Sequence, residues 1–189
     1  MSKIKIAVVV GSNRRESINR KLASALARLG SDQFDIKIAE IGDLPLYNPD
    51  LEENLPAEVK RFKSEIEAAD GVLFVTPEYN RSIPAVLKSA VDWGARPWGK
   101  NSWAGKPAAI TGTSPGAIGA AIAQQHLRQV LAILGVHVMG GEAYITFKPD
   151  LVGADGTIAD ESVRGFLKAY LDQFAAFAPR FESAQKAAA

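Results

Sequence analysis

The sequence predicts one α/β domain, a parallel sheet of five strands with helices on both faces. Two observations predict it. Short, β-branched apolar runs alternate with segments of helical periodicity along the whole chain. Several runs are apolar at consecutive positions, as strands buried on both faces are. A third observation bounds the answer: 189 residues suit one such domain and are few for two. Residues 1–180 are assigned to the domain, and 181–189, Ala-rich at the end, to a frayed tail.

Each element has its own signal. Ile4–Val10, stopped by Gly11, reads as the first strand. Ile18, Leu22, Ala25, Leu26 and Leu29 share a helical face, closed by Gly30 in the C-cap position. Asp35–Ile41 alternates more openly, as an edge strand does. Pro56 suits a first helical turn, and Val59, Phe62, Ile66 and Ala69 follow on one face. Gly71–Thr76 is the third strand and Ile83–Trp93 a short helix. Ala108–Thr113 is the fourth strand, Ile118–Leu134 a long helix, and Val136–Met139 the fifth strand. Val163, Phe166, Leu167, Tyr170, Leu171, Phe174 and Phe177 form the core stripe of a last helix. Gly42–Leu55 is a long loop carrying Pro45 and Pro49, of a length that is often functional.

Composition excludes several functions. With 47% apolar and 23% charged residues the chain is not disordered. Lys plus Arg is 22 against 21 acids, so no global field draws the protein to nucleic acid or an anionic membrane. There is no cysteine, which removes disulfides, thiolate catalysis and Cys-held metals. Two histidines, His126 and His137, are too few for a His-rich metal site and read as structural. Any redox work must sit on a bound cofactor. The most apolar stretch, Val130–Met139, is far short of a ~20-residue membrane span. Met1-Ser2-Lys3 leads directly into a strand, so a cytoplasmic protein without membrane or nucleic-acid partners is expected.

In an open doubly wound sheet of order 2-1-3-4-5, ligands bind at the carboxyl ends of strands one and three. The loops after Val10, Thr76 and Thr113 therefore face the crevice. The first, Gly11-Ser12-Asn13-Arg14-Arg15-Glu16-Ser17-Ile18-Asn19, opens a helix, where unpaired N–H groups and the dipole favour an anion. Its hydroxyl, amide and guanidinium donors make a phosphate cradle; a capped helix with Ser17 as N-cap is the alternative. Neither a Gly-Lys-Ser/Thr loop nor Gly-x-Gly-x-x-Gly is present, so a terminal phosphate held by hydroxyls remains. The second, Thr76-Pro77-Glu78-Tyr79-Asn80-Arg81-Ser82-Ile83-Pro84, offers a ring face and backbone donors for a planar polar edge; a rigid turn with Tyr79 packed inward is the alternative. The third, Thr113-Ser114-Pro115-Gly116-Ala117-Ile118-Gly119, permits close backbone approach or is a plain turn.

At these residues the chain resembles the NADPH-dependent FMN reductase family of the flavodoxin-like fold, in its bacterial chromate/quinone reductase branch. The resemblance rests on residues 11–19, on Leu-Pro-Leu-Tyr-Asn-Pro-Asp at 44–50, and on the Ala-Asp-Gly-Val-Leu-Phe-Val-Thr-Pro-Glu-Tyr-Asn-Arg-Ser-Ile-Pro block at 69–84. Leu-Lys-Ser-Ala-Val-Asp-Trp at 87–93, Ala-Gly-Lys-Pro at 104–107 and His-Leu-Arg-Gln-Val-Leu at 126–131 add to it. It implies a three-layer α/β/α sandwich with non-covalent FMN. The implied cofactor-binding residues are Ser12, Asn13, Arg14, Ser17, Ile18 and Asn19 around the 5′-phosphate. Pro77, Glu78, Tyr79, Asn80 and Arg81 would lie against the isoalloxazine ring, and Ser114 and Gly116 near its pyrimidine end.

NAD(P)H is the implied co-substrate, with ping-pong transfer to a small acceptor such as a quinone, chromate or a flavin. No side chain need act as acid or base, and the backbone of Glu78 is expected to matter more than its carboxylate. Backbone donors at Ser114–Gly116 should favour an anionic reduced ring, and Arg81 could hook a nicotinamide nucleotide phosphate. A homodimer or homotetramer is implied, with Arg128 a candidate for the subunit contact. Trp93, Trp98 and Trp103 are candidates for a subunit seam or the flavin site, Trp93 more for core or seam. Two other readings share the fold: a flavodoxin-like electron carrier and an FMN-binding regulatory module. The near-neutral charge and Arg14, Arg15 and Arg81 argue against the carrier, which is ordinarily acidic around its flavin.

Overall fold

The computed structural model describes residues 2–181. In chain order it contains β1 (Ile4–Val10), α1 (Ile18–Leu29), β2 (Phe34–Ala39), α2 (Ala57–Glu67), β3 (Gly71–Val75) and α3 (Ala85–Gly94). These are followed by β4 (Pro107–Ser114), α4 (Ala121–Ile133), β5 (His137–Val138), β6 (Ala143–Thr146) and α5 (Glu161–Phe177). The sheet is parallel in the order β2-β1-β3-β4-β5, and β6 also pairs with β4.

The period of two along the central strands divides the core. Val8, Val10, Leu73 and Val75 face α1 and α5, packing on Leu22, Leu26, Leu167, Leu171 and Phe174. Ala7, Val9, Val72 and Phe74 face the other layer, with Phe62, Ile66, Leu87, Leu127 and Leu131. Both faces are covered, which is why the strands read as continuous apolar runs.

The structure corrects the sequence reading at several points. The fifth strand is broken: His137 and Val138 pair with Pro107 and Ala108, then the chain leaves the sheet. Gly141 has a φ of +83°, a conformation that ends a strand, and β6 then re-enters beside Thr111–Ser114. The Arg128 guanidinium holds this detour, donating to the carbonyls of Met139 at 2.8 Å and Gly141 at 2.6 Å, so its fork is engaged within the chain. Helix α4 starts three residues later than the apolar spacing suggests, because Gly119 and Ala120 both have positive φ (+54° and +63°). In α5 Phe166 stands 48% exposed, outside the core stripe.

The tryptophans separate. Trp93 and Trp103 are fully buried, donating to the carbonyls of Pro45 and Val91, whereas Trp98 is 88% exposed. The long loop is pinned to α3: the Ser89 hydroxyl accepts from the Tyr47 amide and donates to the Pro45 carbonyl, and Tyr47 meets Trp93 edge-on at 5.0 Å. Two buried lysines are bonded to carbonyls. Lys63 donates to Gly94, Lys100 and the Ser102 hydroxyl, and Lys106 to Glu67 and Ala69 at the end of α2; burial lowers both ammonium pKa values. Of the expected tail, Phe181 closes a 3₁₀ turn and stacks on His137 with ring centroids 4.1 Å apart, while 182–189 lie outside the described residues. Among the described residues no helix is long and apolar enough to cross a membrane.

Candidate functional site

Parallel pairing sets the carboxyl ends of β1, β3 and β4 side by side, so the loops leaving them form adjoining walls. Thr76 follows β3 with its hydroxyl bonded to the Pro77 carbonyl, buried against β4. Gly112 makes that contact possible, since a Cβ there would lie 1.9 Å from the Thr76 carbonyl oxygen.

The first loop is a backbone cradle. Ser12 and Ser17 are buried; Asn13, Arg14, Arg15 and Glu16 are exposed. Ser17 is the N-cap of α1, its hydroxyl accepting from the Arg20 amide at 3.2 Å, and the Ser12 hydroxyl accepts weakly from the Arg14 amide at 3.4 Å. Each hydroxyl keeps its own proton to donate. Among the described residues the amides of Ile18 and Asn19 have no protein acceptor, and the first turn of α1 carries no acid. Asn19 does something the sequence did not suggest. Buried at 1% exposure, its amide exchanges two 2.9 Å hydrogen bonds with the backbone of Thr113, donating to the carbonyl and accepting from the N–H. It ties the first loop to the third. The next residue, Arg20, forms a two-pronged pair with Glu40 at 2.7 and 2.8 Å, which holds the Glu40 carboxyl below its ordinary range.

The second loop is a tight hairpin. Tyr79 and Ser82 exchange backbone hydrogen bonds at 3.0 Å, and Asn80 and Arg81 between them have φ of +51° and +63°. Positive φ at both central positions is the type I′ pattern. Tyr79 is 54% exposed, so its ring is not packed inward. The Arg81 side chain is 71% exposed and meets Glu78 at 3.3 Å.

Glu78 departs from expectation. Its side chain is 8% exposed, and one carboxylate oxygen accepts from the α4 amides of Ile122 at 2.9 Å and Ala123 at 3.2 Å. Helix α4 has no cap of its own: Ala120 occupies the N-cap position in the left-handed conformation with no side-chain bond. A sequence signal for this existed. A long helix opening on Gly119-Ala120-Ala121 lacks the usual Ser, Thr, Asp or Asn, so its orphan amides need an acceptor from elsewhere. His126 on α4 adds a second tie, its Nδ1 3.1 Å from the Ser82 hydroxyl. This histidine therefore meets the second loop.

In the third loop the Gly116 amide donates to the Ser114 hydroxyl at 3.2 Å, so that donor is engaged within the loop. Among the described residues the amides of Ala117 and Ile118 are the ones left without a protein acceptor between Gly116 and Gly119. Residues 115–118 are exposed.

Comparison with known proteins adds to this geometry. The family profile of NADPH-dependent FMN reductase matches residues 4–150. The chain belongs to that family. It is 51% identical over 175 residues to a 2-hydroxy-1,4-benzoquinone reductase of Burkholderia sp, covering 92% of this chain and 96% of that protein. It is 50% identical over 174 residues to a quinone reductase of Pseudomonas putida, covering 91% and 93%. Among solved structures, the flavoenzyme NAD(P)H:(acceptor) oxidoreductase FerB from Paracoccus denitrificans superposes with a TM-score of 0.91 at 45% identity, covering 94% of this chain and 98% of that one. The fold is flavodoxin-like, the cofactor FMN and the co-substrate NAD(P)H.

The residues present fit a flavin phosphate. At the start of α1 the donors are neutral or cationic, and Arg14 and Arg15 have no acidic partner among the described residues. The other helix starts differ: α2 and α3 follow Pro56 and Pro84, α4 is filled by Glu78, and α5 is capped by Asp160. A doubly charged oxyanion suits a start that sets free N–H groups beside two hydroxyls and two arginines, its nearby Glu16 being paired with Lys21 at 3.0 Å.

Proposed function

We propose that this chain is an FMN-dependent oxidoreductase passing two electrons from NAD(P)H to a quinone or similar small acceptor. The overall exchange balances: NAD(P)H gives a hydride, and the quinone with one further proton becomes a hydroquinone. The observation that carries the reading is the cradle at the start of α1, whose first-turn amides lack acceptors and whose one carboxylate, Glu16, is paired with Lys21. Bound FMN supplies the hydride and two-electron chemistry that no side chain here can supply.

The chain's own residues bind and orient. Ser12, Arg14 and Ser17 hold the phosphate, together with Asn13 and the amides of Ile18 and Asn19. Pro77 through Arg81 form one wall for the ring, stiffened by the reciprocal Tyr79–Ser82 bonds. Ser114 and Gly116 set the opposite wall, and the Ala117 and Ile118 amides there can face the negative charge of a reduced ring. Tyr79 leaves an aromatic face at the rim for a planar reactant. Arg14, Arg15 and Arg81 make that rim basic, which draws an anionic nucleotide and favours an enzyme over an acidic carrier. Arg81 contacts the phosphates of NAD(P)H; an unchanged Michaelis constant for both nucleotides in Arg81→Ala would remove that role. One open face serves donor and acceptor in turn, so parallel double-reciprocal plots are expected. Chromate and free flavins are further acceptors, and the place of action is the cytoplasm, where reduced nicotinamides are made.

The chain also works as a homodimer or a pair of dimers. Ile122, His126, Gln129 and Ile133 recur on the outer face of α4 and are all exposed, Ile133 by 85%. Two antiparallel α4 helices about a two-fold axis would set Ile122 opposite Ile133 of the partner subunit, as an isologous contact requires. Sedimentation of Ile133→Glu as a monomer supports this seam, and an unchanged assembly refutes it.

The deciding experiment is an anaerobic titration of the FMN-loaded protein with NADH and NADPH, followed by a quinone. Bleaching of the flavin bands and their return on adding quinone support the reading. A protein that takes up FMN but is reduced by neither nucleotide is a carrier or a regulatory module.

A further inference from the structure

We propose that Glu78 is a positioning residue that also sets how readily the flavin is reduced. This rests on the placement of the ring between the second and third loops given above. The carboxylate leaves one wall and ends in the other: it belongs to the hairpin yet fills the N-terminus of α4, 44 residues further along the chain. With the His126–Ser82 contact it bolts the hairpin to α4 at two points. The loop that precedes α4, Ser114–Ala120, is thereby registered against Tyr79 and Asn80.

The same geometry has an electrostatic consequence. A helix N-terminus carries roughly half a positive charge. Left open, that of α4 would lie behind both walls and favour the anionic, reduced state of a ring held between them. Glu78 places a full negative charge on it at 2.9 and 3.2 Å and reverses its sign. At 8% exposure the charge is poorly screened by solvent ions. Arg81 is the counter-charge within reach, but at 3.3 Å and 71% exposed it is a loose one. The net effect of Glu78 is to make the flavin harder to reduce and the reduced enzyme a stronger donor to its acceptor.

Glu78→Gln removes the charge while keeping an oxygen to accept from the Ile122 amide. Ala121→Glu does the opposite, adding a second carboxylate to the first turn of α4 and leaving Glu78 in place. Both variants and the wild type are loaded with FMN and equilibrated with a redox dye during slow reduction. The ratio of reduced to oxidised flavin at a fixed dye ratio is then read. Glu78→Gln is expected to raise that ratio at least threefold and Ala121→Glu to lower it at least threefold, each about 14 mV for a two-electron couple. Unchanged ratios, or shifts of the other sign, overturn the proposal. If Glu78→Gln fails to retain FMN, Ala121→Glu alone decides by the same criterion. A wild type that binds no FMN refutes the functional reading itself, whereas FMN-loaded proteins with equal ratios refute only the role of Glu78.

Discussion

Replacing Asn19 tests how the first and third loops are held together. Its side chain is 1% exposed and satisfies both the N–H and the carbonyl of Thr113 at 2.9 Å. Asn19→Ala removes both bonds at once and strands two buried backbone groups. A stranded buried donor or acceptor costs about 1–3 kcal/mol, and water admitted to the vacated space recovers part of it. The expected loss is therefore about 2–4 kcal/mol. For a protein of this size that is roughly 5–15 °C in Tm. Urea unfolding of the FMN-free protein measures it, with an unchanged m-value as the check that the transition remains the same.

Asn19→Asp sharpens the argument, because it keeps the acceptor for the Thr113 N–H but sets a carboxylate oxygen against the Thr113 carbonyl. Burial and this repulsion raise the carboxyl pKa in the folded state. A raised folded pKa means that the folded state holds the proton, so stability is present at low pH and lost as pH rises through the folded value. Asn19→Asp should therefore approach wild-type stability on acidification, whereas Asn19→Ala should not. A loss below about 1 kcal/mol in Asn19→Ala would refute the claim that this amide welds the loops.

Three further outcomes follow from named contacts. Ser12→Ala should weaken FMN binding roughly ten- to hundredfold, the worth of one hydrogen bond to a charged group, in a fluorescence titration, while its unfolding midpoint stays close to wild type. Gly112→Ala should cost more than about 3 kcal/mol in the same urea assay, because its Cβ would fall 1.9 Å from a backbone oxygen that cannot rotate away; Gly165→Ala, inside α5 with open space around it, should instead stabilise by up to about 1 kcal/mol. The Arg20–Glu40 pair lowers the Glu40 pKa, so its contribution is complete above the ordinary glutamate range and is lost as pH falls through the lowered value. Glu40→Gln should remove about 0.5 kcal/mol of stability near neutrality and flatten that part of the acid limb, the pair being half exposed.

Helix ends and side-chain charges act together in the crevice. At α1 the first-turn amides of Ile18 and Asn19 have no protein acceptor among the described residues; at α4 the protein supplies a carboxylate. Both starts lie at the carboxyl edge of the sheet, so the proposed phosphate site adjoins a helix start that already holds a carboxylate. This difference would orient a molecule with a phosphate at one end and a planar ring at the other.

Much of the fold was legible in the residues. The strand order is what the resemblance to the flavodoxin-like family implied, and the structure has it; the runs at Ile4–Val10 and Gly71–Val75 and the stripe of α1 follow from local propensity and burial on both faces. Those forces act between neighbours in the chain, and the chain states them directly. The three loops at the switch point follow in turn, because strand order alone places them there. Only the tertiary structure decided which distant groups meet. Asn19 and Thr113 are 94 residues apart, and Glu78 and Ile122 are 44 apart, and neither pairing has a periodic signature. Trp98 and Trp103 look alike in sequence yet end at 88% and 0% exposure. The break in the fifth strand likewise depended on Arg128 reaching two carbonyls across the detour. A buried polar group must be satisfied by whatever the fold brings within about 3 Å, and that distance is a property of the packed molecule, not of any segment of it.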